Sequence, residues 1–305
     1  MKRLKDLKKK SRKADKILKY GIIANTNKKE LFDILPGLIS WLEKYDNNVV
    51  VEKDIYDAAT DLLKQIDYAE REKIPSKCDI VLALGGDGTI LSAARVVGNS
   101  RVPIAGINLG GLGFLAEVAV EEIYDRLQLI QDGDYLVEER MVLKAKLENE
   151  PEVSYRALND IVIERGSSTR MISISVTVDD KFFNHYSADG IIIATPTGST
   201  AYSLSAGGPI IVPPHEAIIV TPLSSHSLSQ RAVVIKPDSK IKINLENASG
   251  KMLLSIDGQT SVKIKNGQSI YIERADNNIR LIKWKDKSYF DTLRAKFNWG
   301  VGGRS

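Results

Sequence analysis

Between Tyr20 and about Asp134, short apolar runs alternate with longer stretches of helical period, the pattern of βαβ units. Four strands are predicted, Tyr20–Ala24, Val49–Ile55, Asp79–Leu84 and Val102–Ile107. Between the first two, Leu31, Leu35, Leu38 and Leu42 recur every three or four positions and mark an apolar helix face. Pro36 falls inside it, where a proline ring bends a helix axis. Between the next two strands, Ala58, Leu62, Ile66 and Ala69 predict a second helix, and Ile90–Val97 reads as a third. The N-terminal part is therefore expected to be a mostly parallel sheet covered by helices. After Arg140 the period changes to two. In Arg170–Asp179 the residues Ile172, Ile174, Val176 and Val178 alternate with Ser173, Ser175 and Thr177, and Ile241, Ile243 and Leu245 alternate with polar neighbours in the same way. Asp257-Gly258 and Asn266-Gly267 lie between strand-like runs and supply the positive φ that tight hairpins need. The second part is expected to be mainly antiparallel β. The last thirty residues hold Trp284, Tyr289, Phe290, Phe297 and Trp299 and are expected to pack back onto the body.

Composition changes this picture little. The 305 residues, 43% hydrophobic and 27% charged, are those of an ordinary globular chain of about two domains. The formal charge of +4 is unevenly spread. Residues 1–19 hold ten Lys or Arg and two Asp, a net of +8, which leaves 33 basic against 37 acidic side chains in the rest. A single cysteine, Cys78, excludes an intramolecular disulfide framework and any multi-cysteine metal site, and fits a reducing cytoplasm. No apolar run approaches the roughly 18 residues that span a bilayer, so no membrane partner is expected. Residues 1–19 have no apolar core of the kind a signal peptide needs.

Candidate chemistry gathers in loops. The predicted strand ending at Leu84 runs into Gly85-Gly86-Asp87-Gly88-Thr89 and then into a helix. Glycines at such a turn let the backbone approach a ligand, and the helix N-terminus offers N–H groups to phosphate oxygens. Asp87 in the middle would repel a phosphate unless it accepts a proton from an attacking hydroxyl, holds a divalent cation, or simply caps the helix. No Walker A sequence and no protein-kinase catalytic loop occurs. Asn108–Ala116 contains G-x-G-x-x-A but follows the fourth strand, with no helical period directly after it, so it reads as a second loop of the same cleft rather than a dinucleotide fingerprint. Leu158-Asn159-Asp160 precedes a strand, where an amide and a carboxylate could bind ribose hydroxyls or form an Asx turn. From Asp189 a buried strand opens into Thr195-Pro196-Thr197-Gly198-Ser199-Thr200-Ala201-Tyr202-Ser203-Leu204-Ser205-Ala206-Gly207-Gly208-Pro209, a density of hydroxyls and glycines that suits a ribose-bearing or phosphorylated ligand. Tyr202 could stack on a base. His185, His215 and His226 form no metal motif, and Cys78 reads as a packed, inert thiol.

With these segments assembled the chain resembles the bacterial NAD kinases from about Gly21 to Ile282. The resemblance is carried by the 85–89 loop, the Asn-Leu-Gly segment ending at Leu115, Glu139-Arg140-Met141, Leu158–Asp160, 189–209, His226–Arg231 and Asp257-Gly258-Gln259. The glycine–aspartate loop alone is shared with lipid kinases, whereas the 195–202 segment is specific. The resemblance implies an α/β N-terminal domain with a Rossmann-like parallel sheet, an all-β C-terminal sandwich domain and an active site between them. On this division residues 1–19 are a basic extension, 20–138 the α/β domain, 139–275 the NAD-binding sandwich, and 276–305 a segment returning to the first domain. It implies phosphorylation of the adenosine 2′-hydroxyl of NAD by ATP, or in some members polyphosphate, with Mg2+ or Mn2+, in a cytoplasmic homo-oligomer, a dimer or a tetramer. Asp87 would be the catalytic carboxylate in a phosphate-binding loop with Gly85, Gly86 and Thr89; Gly88 and Phe114 would line the adenosine pocket. Asn159 and Asp160 would hold ribose hydroxyls, many relatives having Glu in place of Asp160. Thr197, Thr200, Ala201, Tyr202 and Ser205 would contact adenine and the rest of the dinucleotide, and Asp189 the nicotinamide amide. A lipid kinase is the nearest rival enzyme, disfavoured by the lack of an amphipathic membrane-binding face in the β half. A nucleic-acid-binding protein is suggested by residues 1–19 alone, and a solvated extension is the preferred reading. Deleting residues 1–19 is expected to leave kinase activity unchanged.

Overall fold

The computed structural model describes residues 17–166, 171–224, 230–246 and 252–300. The chain forms two compact units, Met1–Glu138 with Arg280–Ser305, and Glu139–Ile279. In the first, the elements run β1 Lys19–Ala24, α1 Lys29–Lys44, β2 Asn48–Glu52, α2 Lys53–Ala58, β3 Asp67–Ala69, β4 Ile80–Gly85, α3 Asp87–Val97, β5 Ile104–Asn108, β6 Val118–Ala119, α4 Ile123–Gln131 and β7 Leu136–Arg140. The sheet has the order β3-β2-β1-β4-β5 and parallel pairing throughout that span, the arrangement of half a doubly wound fold. Strand β4 is buried at all six positions, as a parallel strand covered on both faces must be.

The second predicted helix does not form. Helix α2 stops at Ala58, and residues 59–66 are successive turns closed by Leu62 N–H to Ala59 O (3.0 Å) and Ile66 N–H to Leu63 O (2.9 Å). Leu63 goes into the core while Leu62 is 54% exposed, so the apolar spacing that suggested a helix face is not the face that is buried. Helix α1 runs unbroken through Pro36. Strand β1 starts at Lys19, whose N–H donates to Asp79 Oδ2 (2.9 Å), and Leu18 before it is already in the core. The body therefore reaches into the segment assigned to the basic extension. Cys78 is half-buried, and desolvation pushes its thiol up to about 12, which keeps it protonated.

In the second unit the elements are β8 Leu143–Leu147, β9 Glu150–Ala157, β10 Asp160–Arg165, β11 Ile172–Val178, β12 Lys181–Ala188, β13 Gly190–Ala194, α5 Tyr202–Ser205, β14 Ile218–Leu223, β15 Val233–Ile235, β16 Ile241–Glu246, β17 Met252–Ile256, β18 Thr260–Ile264 and β19 Ser269–Arg274. They make two six-stranded sheets, β15-β14-β13-β10-β17-β18 and β12-β11-β16-β19-β8-β9. Inward side chains of both form one core, for example Ile161, Ile163, Ile191 and Ile193 from the first and Ile174, Val176, Ile243 and Leu245 from the second. Val162, Ile192, Ala194 and Ile219 face the other way and are covered by Ala206 and Ile211, which explains why β13 is apolar throughout while β11 alternates. Asp257-Gly258 makes a hairpin turn between paired β17 and β18, with φ of 50° and 63°. Asn266-Gly267 does not: β18 and β19 belong to different sheets, and its turn carries the chain from one to the other.

After the second unit the chain returns as β20 Ile279–Lys283, with Leu281 opposite Ile104 of β5 in parallel, and α6 Tyr289–Phe297. Electrostatics tie this segment to the first unit. Arg126 bonds both Asp286 oxygens (2.7 and 2.8 Å) and lies 5.2 Å from the Trp284 ring centroid, and Lys287 reaches Glu117 O (2.7 Å) and Glu122 (2.6 Å). Burial alone would raise the Glu122 carboxyl, but Lys287, Arg126 and the Ala119 N–H together hold it down to about 2.

Removing residues 1–19 takes away the Leu18 side chain, whose burial is worth about 2 kcal/mol. Relative to removal of 1–16, the longer truncation is expected to melt about 4–8 °C lower. Circular dichroism melts of the two truncations check this, and coincident midpoints would contradict it.

Candidate functional site

In the first unit β4 delivers Gly85 into the turn, Gly86 precedes α3, and Asp87 is its first residue. The Asp87 side chain does not cap its own helix. Its Oδ1 accepts from the N–H groups of Leu115 and Ala116 (3.0 Å each) and its Oδ2 from that of Phe114 (2.9 Å). A carboxylate offers about four lone-pair directions, so one on Oδ2 is left. A side chain at Gly113 would overlap this carboxylate and one at Gly85 would overlap Thr89, so both glycines are required by close approach. The 108–116 loop is fixed from the other side by Asn108, whose amide donates to Gly111 O (2.5 Å) and whose Oδ1 accepts from Gly110 N–H (2.8 Å). The Phe114 ring rests between Tyr289 and Phe297 of α6, at centroid distances of 6.1 and 5.9 Å.

Beside the turn a polar cavity of about 440 Å³ is lined by Gly86, by Gly88, Thr89 and Ser92 from α3, and by Asn25–Lys28, Glu52, Asp54 and Arg71. Buried Glu52 anchors it, accepting from Ala24 N–H (3.0 Å) and pairing with Arg71 (2.8 Å). Lys28 and Arg71 were not expected as site residues. The only signal for them was a polar loop and a basic residue where parallel strands end, which is where α/β folds bind ligands.

In the second unit the corner before β10 is held on every side. Asp257 Oδ2 accepts from Leu158 N–H (3.0 Å), and Oδ1 from those of Asn159 (2.7 Å) and Asp160 (3.1 Å). Thr195 donates its hydroxyl to Leu158 O (2.5 Å) and its N–H to Asn159 O (2.8 Å), and Asp257 N–H donates to Asp160 O (3.0 Å). Gly198 passes so close to the Asn159 carbonyl that a Cβ there would overlap it. A cavity of about 480 Å³ is lined by Asn159, Asp160, Val162, Glu164, Ala201, Tyr202, Ser255, Asp257, Gly258 and Ser261. Asp160 is only 4% exposed, and desolvation followed by the neighbouring Asp257 charge pushes its carboxyl up to about 7. Tyr202 is raised by burial and then by Glu164, Asp160 and Asp189.

This cavity brings together Asn159, Asp160, Ala201 and Tyr202 from the expected set, and adds Asp257. The sequence places Asp257 in a turn and within the family resemblance but gives it no site role, and nothing local reveals that its carboxylate reaches back 97 to 99 residues. The remaining residues do not line it. Thr197 is buried and its hydroxyl accepts from Arg140 (3.3 Å), while Thr200 donates to Thr197 O (3.2 Å) within the turn, so both hydroxyls are engaged. Ser205 is exposed on α5, and Asp189, between β12 and β13, pairs with Arg165 at 2.7 Å. His226 lies outside the described residues. Among the described residues no three His, Cys, Asp or Glu side chains converge as a metal cage.

Family models of the ATP-NAD kinase N-terminal domain and C-terminal domain match residues 20–135 and 158–284. The chain is 40% identical over 287 residues to an NAD kinase of Geotalea daltonii, covering 92% of this chain and 99% of that one, and 42% identical over 286 residues to an NAD kinase of Thermoanaerobacter sp., covering 91% and 98%. Among solved structures it is similar to a yeast NADH kinase complexed with NADH, at a TM-score of 0.86 and 25% identity over 94% of this chain and 89% of that one. It is also similar to an Archaeoglobus fulgidus NAD kinase in complex with ATP, at 0.73 and 25% over 92% and 98%.

Asp160 keeps its proton to about pH 7 in the folded chain and to about pH 4 when unfolded. The folded state therefore binds the extra proton within that window, and this site's contribution to stability falls as pH rises through it. Asp160→Asn is expected to raise the melting temperature more at pH 8 than at pH 5. Equal changes at the two pH values would contradict the assignment.

Proposed function

The chain belongs to the ATP-NAD kinase family, and from that premise we propose how its own residues carry the reaction. It is an NAD kinase, moving the terminal phosphoryl group of ATP to NAD to give NADP. We assign the adenosine 2′-hydroxyl as acceptor and Asp87 as the group that takes its proton. The supporting observation is the Asp87 carboxylate itself, gripped by three backbone N–H groups at a strand–helix turn with one lone-pair direction of Oδ2 left over. As the hydroxyl oxygen bonds to the terminal phosphorus, the bond from that phosphorus to the bridging oxygen breaks, ADP leaves, and the proton passes to Oδ2. A ribose hydroxyl is a poor nucleophile at neutral pH, so positioning supplies much of the rate.

The other roles follow from what each side chain is free to do. Asn159 and Asp160 hold ribose hydroxyls from a locked backbone, and Asp160 in its protonated form can donate as well as accept. Tyr202, 45% exposed at the cavity wall, offers its ring to a base. Gly88 and Phe114 line the adenosine pocket, Ala201 and Ser205 contact the dinucleotide, and Asp189 takes the nicotinamide amide. Thr197 and Thr200, with their hydroxyls engaged, act by shaping the backbone beneath Ala201 and Tyr202. The donor phosphates take the polar cavity beside Gly85, Gly86 and Thr89, where Lys28 and Arg71 supply positive charge. The divalent cation implied by the family resemblance, Mg2+ or Mn2+, would supply neutralisation of the charge on the ATP phosphates. The chain works as a homo-oligomer, a reading that rests on the family resemblance, in the cytoplasm, a reading supported by its lone Cys78. No described helix is long and apolar enough to cross a membrane.

Incubation with ATP, Mg2+ and NAD is expected to give NADP, and diacylglycerol offered instead is expected to stay unphosphorylated. Asp87→Asn is expected to lower turnover about 10²–10⁴-fold while NAD affinity changes far less. Near-normal turnover in that variant, measured by steady-state NADP formation, would overturn the assignment of Asp87.

A further inference from the structure

The corner Leu158–Asp160 presents two side chains that bond to no other described residue, the Asn159 amide and the Asp160 carboxyl, on a backbone whose every polar group is bonded. All three N–H groups go to Asp257, two carbonyls go to Thr195, and the third accepts from Asp257 N–H. A backbone so fully restrained carrying side chains so little engaged is the arrangement of a preorganised binding corner. We propose that Asp257 is the positioning residue of this corner, fixing the direction in which Asn159 and Asp160 meet the NAD ribose through its carboxylate bonds to their backbone. This deepens the reading of Asn159 and Asp160 as ribose-binding residues and rests on it.

Two features single out a carboxylate for the task. The three N–H groups converge on a site that only an acceptor with several lone pairs can fill, and an ionised acceptor makes the stronger bonds. Asn in its place would turn an NH2 group toward at least one of those donors. Asp257 also sits where its charge is felt by Asp160, from the turn between β17 and β18. The other titratable groups around Asp160 are Glu164, further along its own strand, and the Tyr202 phenol from α5, with Asp189 acting on Tyr202 while paired to Arg165. Asp257 thus sets both the direction of Asp160 and the pH at which it ionises, a combination that a residue serving only the hairpin turn would not have.

The test compares steady-state kinetics of Asp257→Asn with the native enzyme, both checked for folding by thermal melts. KM for NAD is expected to rise about 10–100-fold, the loss of one to two charge-assisted hydrogen bonds, with KM for ATP within about twofold. The limb of kcat/KM for NAD that reports Asp160 is expected to move to lower pH, because a like charge has been removed, and to be absent in Asp160→Asn. A folded Asp257→Asn with native KM for NAD and an unmoved limb overturns the proposal. Should that variant not fold, Asp257→Glu decides, since it keeps the charge but displaces the acceptors that the three N–H groups meet: a raised KM for NAD supports the proposal and a native value overturns it. Asn159→Ala and Asp160→Asn separate ribose binding by the corner from its positioning by Asp257. If neither changes KM for NAD, the ribose-binding reading itself fails; if both raise it while Asp257→Asn does not, the positioning role of Asp257 alone fails.

Discussion

A single aspartate gripping three consecutive backbone N–H groups is the constraint around which each unit arranges its chemistry. Asp87 does this to residues 114–116 and Asp257 to residues 158–160, with six donor–acceptor distances between 2.7 and 3.1 Å. Each grip turns an irregular loop, which would otherwise leave its amide groups to water, into a rigid feature. The charged acceptor makes these bonds stronger than neutral ones, and each would be costly to lose without replacement. The glycine at each place follows from that geometry: Gly113 must let the Asp87 carboxylate in, and Gly198 must pass the Asn159 carbonyl without a side chain.

The rest of each unit supplies a stiff frame for its grip. Strand β4 is buried along its whole length and ends at Gly85, so the turn that follows starts from a fixed point. Strand β13 is covered on both faces and ends beside the corner that Thr195 holds. The carboxylate proposed to take the proton and the pair proposed to bind ribose therefore stand where buried strands end, so that on this reading specificity rests on precise placement while the scaffold bears the packing.

Much of this was legible in the residue pattern, and the failures have physical causes. The strict alternation of Ile172–Val178 matched its strand, because one face packs into the sandwich and the other does not. The stretch Ala58–Ala69 misled because its spacing fitted a helix, while turns after Ala58 rotated Leu63 inward and left Leu62 outside. Asn266-Gly267 carried the local chemistry of a hairpin, but strand pairing is decided by partners far along the chain. The glycine–aspartate loop was recognisable as a site, yet the helix-cap reading of Asp87 yielded to a bond partner 27 to 29 residues away. Asp257 stood out as a turn residue within the family resemblance, but its grip on residues 158–160 left no trace for the same reason at greater range: a side chain that bonds distant backbone leaves no periodicity.

The return of the chain to its first unit has a consequence for the order in which the enzyme is made. Residues 139–279 are contiguous, whereas the sheet of the first unit lacks β20 until the chain beyond them has been made. The same final stretch brings Phe297 and Tyr289 against Phe114, next to the amide groups that Asp87 holds. The α/β sheet is thus closed by residues that come after the whole sandwich in the sequence, and the loop at the proposed site of phosphoryl transfer is braced by side chains more than 170 residues beyond it.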